Sequence, residues 1–305
     1  MAEQKKFNYG GQAVIEGVMI RGRTSMVTAV RRPNGEISTS VKPLPSASKA
    51  RRIPFVRGVV VLFEAMVLGI QSLMHSANVA MEEEDEKIST KAIWLMMGIG
   101  VVMAVLLFFI APLFLTGLIS SHIPNSVAFN IIEGVIRLAI FLGYIKLVSF
   151  LPDIKRVFTY HGAEHKAVNA YEAGMPMEVD AIKKYSRAHV RCGTSFLFLV
   201  FIVAIIVFTI VGRQDMWLML ISRVVLLPVI MGVGYELIYF GGRHKSNWLM
   251  KIILAPGLWL QSMTTGEPDE RQIEVAIAAV NKAVEIDKAE EEGRETAPPE
   301  SASGP

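Results

Sequence analysis

Four long apolar segments constrain the fold of this 305-residue chain more than any other feature of its sequence. They cover residues 92–120, 126–151, 194–211 and 216–240. Each reaches or approaches the roughly 20 residues that a helix needs to cross about 30 Å of hydrocarbon. Hydrophobic residues make up 52% of the sequence, and these segments concentrate them. The sequence therefore predicts an α-helical integral membrane protein with about four transmembrane helices, one pair within residues 92–151 and the other within residues 194–240.

Two further apolar segments differ from an ordinary transmembrane helix. Residues 53–80 carry polar side chains at spacings that place them on one helical face, which predicts an amphipathic, membrane-associated helix. These side chains are Arg57, Glu64, Gln71 and His75. Residues 248–263 contain Pro256 and Gly257, which is typical of a re-entrant or interfacial segment. Residues 241–285 are predicted to combine this segment with a cytosolic helix.

The N-terminal 52 residues are polar and contain many glycines. Between Thr24 and Leu44, β-branched residues flank a Pro-Asn-Gly-Glu turn, a pattern that predicts a β-hairpin. The preceding run, from Gly10 to Gly22, places glycines where tight turns or close backbone approach are needed. It lacks the Gly-Lys-Ser/Thr ending of a phosphate-binding loop. We therefore expect a small cytoplasmic element with strands over residues 1–52.

The C-terminal part of the chain is predicted to contain one helix and a tail. Apolar residues recur at helical spacing between residues 268 and 286, which favours a cytosolic helix that docks on the rest of the protein. They are Ile273, Ile277, Val280 and Val284. Residues 286–305 are acidic and then rich in Pro, Ser and Ala, so we expect them to be disordered.

Lys and Arg are distributed unequally along the chain. Eleven lie in the first 57 residues and seven between residues 152 and 191, whereas residues 121–125 contain none. By the positive-inside rule, both termini and the His-rich loop over residues 152–193 face the cytosol. Cys192 is the single cysteine, so an intrachain disulfide is impossible and a reducing compartment is expected.

The string Tyr160-His-Gly-Ala-Glu-His-Lys166 is the strongest chemical signal in the sequence. His161 and His165 stand four residues apart, so they share one helical face and can bind one metal ion. Glu164 completes the order H-x-x-E-H of the inverted zinc hydrolases, in which the Glu is the general base. Zn²⁺ is the expected ion.

A zinc site of this kind needs a third protein ligand, and the sequence leaves several candidates. Glu172 matches the histidines in helical angle but lies roughly 10 Å beyond His165 at about 1.5 Å per residue, which is too far. His189 and Cys192, at the end of the same loop, are better candidates. Glu236, near the cytoplasmic end of the last predicted span, is another. A different interpretation is a basic loop that faces anionic lipid headgroups, with Glu164 paired to Lys166 or Arg156.

Three charges fall inside the predicted transmembrane helices. Glu133 and Arg137 are four residues apart, and Arg223 lies in the outer half of the fourth span. Each such charge costs about 2.5 to 3.5 kcal/mol at a helix centre on insertion scales, so we expect them to pair inside the bundle. They favour an ion-paired cluster that locks the helices together, with an ion or proton path as the alternative. The basic N-terminal segment lacks an aromatic and basic pattern on a suitable fold, so contact with the bilayer surface is expected and nucleic-acid binding is not.

Four strings of residues together resemble the bacterial YqhQ-like family of membrane proteins. They are Gly10-Gly-Gln-Ala-Val-Ile-Glu-Gly-Val-Met-Ile-Arg-Gly22, Tyr160–Lys166, Arg191-Cys-Gly-Thr-Ser195 and Pro256-Gly-Leu-Trp-Leu-Gln-Ser-Met-Thr-Thr265. The resemblance covers most of the chain and implies a metal-dependent enzyme in the inner membrane of a bacterium. Val190 departs from the family pattern, which has proline there, and leaves the candidate ligands intact. By position, the resemblance singles out Gln12, Glu16, Arg21, His161, Glu164, His165, His189, Arg191 and Cys192.

The leading hypothesis from the sequence is a cytoplasm-facing zinc hydrolase that acts on a lipid-linked or membrane-protein substrate. In this hypothesis His161, His165 and either His189 or Cys192 hold the ion, and Glu164 activates water. A non-enzymatic membrane scaffold or assembly factor is the first alternative, with the same histidines in a structural role. A small transporter that uses the Glu133, Arg137 and Arg223 cluster is the second.

Overall fold

A computed structural model describes residues 7–45, 49–81, 90–243 and 247–296. The described chain is mostly helical, with all of its strands at the N-terminal end. The strands are β1 (Gly10–Val14), β2 (Gly17–Arg21), β3 (Ser25–Arg31) and β4 (Ile37–Pro43). The helices before the His-rich segment are α1 (Val56–Ala80), α2 (Thr90–Val105), α3 (Ala111–Leu118) and α4 (Ser126–Val148). The later helices are α5 (Pro152–Glu172), α6 (Val179–Ile182), α7 (Gly193–Val211), α8 (Met216–Val225), α9 (Leu227–Arg243), α10 (Trp248–Thr264) and α11 (Glu270–Thr296). Short 3-10 turns occur at Lys49–Arg52 and Ser120–His122, and a π-turn at Leu106–Ile110 joins α2 to α3.

The four strands form one antiparallel sheet in the order β1-β2-β3-β4. The predicted hairpin between Thr24 and Leu44 is confirmed as β3 and β4. The glycine run that precedes it, which the sequence indicated only as turns or close approaches, forms the second hairpin of β1 and β2. Its turn places Glu16 at a φ of 51°, a left-handed conformation. β1 begins with two glycines and β2 with one, and glycine is unfavourable in strands, so sequence patterns alone did not identify this pair.

Several helices are apolar enough to cross a membrane. Among the described residues, three meet the length and composition of a span by themselves: Val56–Ala80, Trp94–Leu118 and Gly193–Val211. Two bent pairs, α4 with α5 and α8 with α9, raise the count to five if each pair is one span. The predicted helical class with several apolar spans is thus confirmed.

Prolines explain both bends. α4 and α5 meet at 100°, and Pro152 begins α5, because a proline disfavours helical geometry in the residue before it. α8 and α9 meet at 45° beside Pro228. The first bend directs α5 away from the axis of α4. The predicted His-rich loop over residues 152–193 is therefore largely a helix, held at a steep angle to the apolar helix before it.

The sheet is covered by helices on both faces. Val18, Ile20 and Val27 point to one face and pack with α5 and α11. Val14, Met19, Met26 and Val30 belong to the other face and pack with Leu68 and Val79 of α1. The alternation follows from the two-residue period of a strand. The C-terminal half of α1, predicted as an amphipathic membrane-associated helix, therefore covers a sheet.

α10 crosses the ends of the apolar helices. Leu260 packs with Phe141 and Ile145 of α4 and with Phe198 of α7. Near the other end of α10, Leu254 lies against Gly241 of α9. The segment predicted as re-entrant or interfacial is a continuous helix that includes Pro256. It contacts α9, α7 and α4.

The C-terminal helix is longer than the sequence predicted. α11 extends to Thr296, so the first part of the tail predicted to be disordered over residues 286–305 is helical, which corrects that prediction. The added turns are held by Asp287, which accepts hydrogen bonds from the Tyr9 hydroxyl at 2.8 Å and from the Arg23 N–H at 3.1 Å. Residues 297–305 lie outside the described residues.

Replacing Gly162 by alanine tests the close approach of α5 to the segment after α10. A Cβ at Gly162 would lie 2.1 Å from the carbonyl oxygen of Gly266, and backbone cannot move aside cheaply. Overpacking of this kind costs about 1–3 kcal/mol. We expect Gly162→Ala to lower the Tm of the purified protein, measured by intrinsic fluorescence in detergent. Gly143→Ala on α4 is the control, because its added Cβ meets nothing within 4 Å. Equal Tm values for the two variants would contradict this packing.

Candidate metal centre

α5 presents the H-x-x-E-H motif from a rigid position. Tyr160, Ala163, Ala167 and Ala170 are buried against the sheet and α11, which fixes the rotation of the helix. The small alanine side chains allow the helix to approach the sheet closely. His161 and His165 then lie on the neighbouring face, with their ring centroids 4.4 Å apart. The local packing thus places both imidazoles side by side.

Backbone carbonyls determine which nitrogen each imidazole presents. The Nδ1 of His161 is 2.9 Å from the carbonyl oxygen of Thr264, at the end of α10. The Nδ1 of His165 is hydrogen-bonded to the carbonyl oxygen of Arg187. A carbonyl oxygen only accepts, so each Nδ1 carries a proton and donates it. The lone pair of each neutral ring is then on Nε2. Metal-binding histidines are commonly held in this way.

Cys192 brings a third ligand atom to the two histidines. It caps the N-terminus of α7, where the Thr194 N–H donates to its sulfur at 3.4 Å. The same sulfur lies 3.4 Å from Nε2 of His161. One ligand atom from each of His161, His165 and Cys192 lies within 4.8 Å of the other two.

One ligand separation in this group suits zinc. Tetrahedral zinc with Zn–N near 2.0 Å and Zn–S near 2.3 Å separates its nitrogen and sulfur ligands by about 3.5 Å. The 3.4 Å between His161 Nε2 and Cys192 Sγ matches that separation. Three protein ligands leave one of four positions for a further ligand, which is the arrangement of catalytic zinc sites. The residue types also suit zinc, since imidazole and thiolate are among its preferred ligands.

Glu164 is buried beside the ligand group. Its carboxylate lies 3.5 Å from Nε2 of His165. Burial raises the pKa of Glu164 to about 7, against the opposing effects of His161, the Gly11 N–H and Arg191. The glycine-rich strand therefore reaches the histidine motif through its backbone.

His189 and Glu236, the other candidate third ligands, lie elsewhere. The ring of His189 is 5.5 Å from that of His165, centroid to centroid, and is not part of the three-ligand group among the described residues. The carboxylate of Glu236 binds Arg57 and accepts the Phe55 N–H at 3.0 Å. Glu236 therefore joins α9 to the start of α1.

Gln261 holds the loop that carries His189 and Cys192. Its side-chain oxygen accepts the His189 N–H at 2.9 Å, and its amide donates to the His189 carbonyl at 2.8 Å. The amide also lies 2.6 Å from the Ser195 hydroxyl on α7. Sequence reasoning singled out neither Gln261 nor Thr264. Both lie in the string Pro256–Thr265, which was the signal that could have pointed to them.

The remaining candidates near the N-terminal sheet surround α5 and α1. Glu16 pairs with Arg156 and lies 3.2 Å from the Tyr160 hydroxyl, next to His161 in sequence. The side chain of Gln12 lies against Gly69 of α1. Arg21 is 3.8 Å from Glu64. None of the three contributes to the ligand group among the described residues.

The basic side chains of this segment have other partners than Glu164. Lys166 donates to Glu267 at 2.6 Å, and Arg156 pairs with Glu16. Arg191 pairs with Glu172, and its guanidinium lies 3.4 Å from Nε2 of His189. The pairing of Glu164 with Lys166 or Arg156, which the headgroup interpretation requires, is therefore not observed.

The three charges within the apolar helices form a separate group. Glu133 pairs with Arg137 along α4, and Arg223 of α8 lies 3.6 Å from the same carboxylate. All three side chains are buried. They are joined as the sequence predicted, away from the histidine motif on α5.

The role of Gln261 can be tested through the single cysteine. Gln261→Leu removes the acceptor of the His189 N–H and one of the two donors to the His189 carbonyl, which still accepts the Cys192 N–H at 3.3 Å. Loss of such bonds at a buried site costs about 1–3 kcal/mol. We expect the loop to open more often, and Cys192 to react several-fold faster with N-ethylmaleimide, measured by mass spectrometry. Ser262→Ala is the control, because its hydroxyl bonds only within α10, to Trp259. Unchanged alkylation in Gln261→Leu would show that Gln261 does not hold the loop.

Comparison with known proteins places these features in a family. Residues 53–286 match the family described as "Protein of unknown function (DUF1385)". The chain is 36% identical over 302 residues to the "Uncharacterized protein YqhQ" of Bacillus subtilis (strain 168), over 94% of this chain and 95% of that protein. No solved structure matches the chain. The chain therefore belongs to the DUF1385 family, as its resemblance to YqhQ-like proteins predicted.

Proposed function

We propose that this protein is a zinc-dependent hydrolase of the bacterial inner membrane whose site faces the cytoplasm. One observation carries the proposal: backbone carbonyls orient both Nε2 atoms of the H-x-x-E-H motif, with the sulfur of Cys192 beside them and the carboxylate of Glu164 adjacent. In this proposal His161, His165 and Cys192 hold the ion. His189 and Arg191 support the loop next to it.

The surface of the apolar helices supports insertion in a membrane. Large side chains such as Trp94, Val101 and Ile210 are mostly exposed on helices long enough to span. An apolar surface of this extent needs a covering, and lipid provides it. Lys and Arg are concentrated in the N-terminal 57 residues and in residues 152–191, so the positive-inside rule supports cytoplasmic termini.

The ligand group fits zinc by residue type and by the separation of its ligand atoms, as described above. A bound zinc ion supplies Lewis acidity and makes water a better nucleophile near neutral pH. The chain supplies the remaining parts. The Thr264 and Arg187 carbonyls fix the tautomers of the histidines, and Glu164 takes the proton from the attacking water.

The position of α10 supports the proposal that the substrate is attached to the membrane. Thr264 and Gln261 of this helix hold His161 and the loop of His189. Trp248, Ile252 and Trp259 of the same helix are exposed and suit the bilayer interface. A helix that contacts lipid on one face and the site on its end favours a lipid-linked or membrane-protein substrate. The basic residues of the N-terminal and 152–191 segments favour anionic headgroups nearby.

A structural role is the second candidate, because the group is deeply buried. His165 is 2% exposed and Cys192 6%, and the group joins α5, the start of α7 and the end of α10. A metal in such a place can hold a scaffold together without catalysis. The two functions predict the same metal content and differ at Glu164.

The metal content of the purified protein tests the metal centre that the hydrolase and the structural role have in common. We expect about one zinc ion per chain in protein purified in detergent without chelator, by elemental analysis, since three protein ligands bind zinc tightly. His161→Ala/His165→Ala should lose it. The control is His122→Ala, on the 3-10 turn Ser120–His122 far along the chain from the motif. Wild-type protein that stays metal-free when offered zinc would exclude the metal centre.

Glu164→Gln separates the hydrolase from the scaffold. Glutamine keeps the size of the side chain and removes the general base, so we expect zinc to be retained and the rate to fall about 10²–10⁴-fold. The measurement is complementation of a deletion strain, beside metal content of the purified variant. Asp153→Asn, an acid-to-amide change at an exposed position of the same helix, is the matched control. Full complementation by Glu164→Gln at normal expression would leave the scaffold role and remove the hydrolase.

A further inference from the structure

A second potential site lies inside the apolar helices, apart from the histidine group. A cavity of about 270 Å³ opens between α4, α7, α8, α9 and the π-turn before α3. Its walls are apolar and aromatic: Phe108, Phe109, Phe141, Phe201, Phe208 and Ile230. Leu197, also in the lining, is 45% exposed, so the cavity reaches the outer surface of the helices. A ligand can thus enter from the lipid side.

Two arginines belong to the lining of this apolar cavity. Arg137 of α4 is 6% exposed and Arg223 of α8 is fully buried. Glu133 pairs with both. In the described part of the chain, Glu133 is the carboxylate that pairs with these cations, and the lining contains no acidic side chain. Two guanidinium groups and one carboxylate leave one positive charge in excess.

The hydrogen bonds around the arginines are also incomplete. Arg223 bonds to Asn130 at 3.1 Å and to Ser222 at 3.3 Å, and its guanidinium stacks over the Phe208 ring at 4.3 Å. The Nε atoms of Arg137 and Arg223 are both buried without a hydrogen-bond partner among the described residues. A buried cation in an apolar environment requires a counter-charge and acceptors. Both guanidinium groups can therefore bind a counter-charge and hydrogen-bond acceptors that the described residues do not supply.

The π-turn before α3 contributes to the wall of the same cavity. Leu106–Ile110 interrupts the long apolar helix, and Phe108 and Phe109 of this turn enter the cavity lining. The guanidinium of Arg137 lies 5.7 Å from the Phe109 ring. Single π-turns within α-helices occur often at functional sites, because they cost hydrogen-bond geometry. Here the turn shapes the aromatic wall that faces the charges.

We propose that this cavity binds a monoanionic amphiphile, a single acyl chain that ends in a carboxylate. One excess positive charge matches one carboxylate, and a guanidinium binds carboxylate oxygens in its own plane. The aromatic walls and the exposed rim at Leu197 receive the chain. A two-chain phospholipid is too large for this volume, and a small inorganic ion leaves the apolar walls uncovered. The site uses none of the residues of the metal centre.

Native mass spectrometry of the full chain in detergent tests the site with oleate as the probe. We expect one oleate per chain on the wild type. Methyl oleate has the same chain without the charge, and oleoyl lysophosphatidate has the same chain with a phosphate. Both should bind at least roughly tenfold more weakly. Methyl oleate has no charge to pair with the guanidinium groups, and the glycerol phosphate is larger than a carboxylate and carries about −1.5 to −2 charge against one excess positive charge. Absence of an oleate adduct, equal binding of methyl oleate or tighter binding of the phosphate would each overturn the proposal.

Variants locate the binding on the arginines and on the cavity. Arg223→Met leaves Glu133 and Arg137 as a neutral pair and should lose oleate. Arg213→Met, on the exposed turn before α8, is the matched control and should keep it. Glu133→Gln raises the excess charge and should bind oleate at least as tightly. Ala204→Leu fills the cavity without a change of charge and should lose the ligand. Oleate binding that is equal in wild type, Arg223→Met and Ala204→Leu would place the probe elsewhere.

If Arg223→Met does not fold, oleate binding to Ala204→Leu and Glu133→Gln tests the site. Loss of oleate in Ala204→Leu with retention in Glu133→Gln supports the site, and the reverse pattern excludes it. Tm values recorded for all variants separate loss of ligand from loss of fold.

Discussion

The packing of α5 on the N-terminal sheet is the contact on which the rest of the structure depends. Tyr160, Ala163 and Ala167 lie against the sheet, and α11 closes the same core. This contact fixes the rotation of α5 and so the direction of its histidines. It also brings the Gly11 N–H within reach of Glu164. The sheet is therefore part of the site without contributing a ligand side chain to the group.

The carbonyls that orient the histidines connect the site to the apolar helices. Thr264 ends α10, and Gln261 one turn earlier holds the loop of His189. α10 in turn packs on α4 and α7 through Leu260. A displacement of α10 would therefore change the position of the Thr264 carbonyl and of Cys192 together. The geometry of the ligand group and the arrangement of the apolar helices are coupled through this one helix.

Local patterns predicted the features that depend on local spacing. The apolar segments, the hairpin of β3 and β4, and the helical pair of His161 and His165 all follow from short-range periodicity. The third ligand atom did not follow, because His189 and Cys192 are equally close in sequence. Their difference arises from the cap of α7, which turns the Cys192 sulfur toward His161. Glu236 was a candidate because of its place near the end of the last predicted span, yet its carboxylate pairs with Arg57 instead.

Other features needed contacts between distant parts of the chain. The strands β1 and β2 contain glycines that weaken the strand signature. β1 pairs with β2 and β2 pairs with β3, so contacts within the sheet stabilise strands that propensity alone does not predict. The extra turns of α11 depend on Asp287, which meets Tyr9 at the opposite end of the chain. The cavity between the apolar helices has no sequence signature apart from its charges. The sequence positions of Glu133 and Arg137 indicated a buried charge cluster. The excess of two arginines over one glutamate became informative only when the structure showed that both arginines line an apolar cavity.

The hydrogen bond between Tyr9 and Asp287 has a consequence for biosynthesis. The two residues are 278 positions apart, and one face of the sheet is covered by α11, near the end of the chain. Translation at about 5–20 residues per second needs roughly 10 to 50 s to pass from the end of β3 to the start of α11. During that time the apolar face of the sheet has no C-terminal helix to cover it. The N-terminal sheet can therefore complete its core only after the apolar helices between it and α11 have been made.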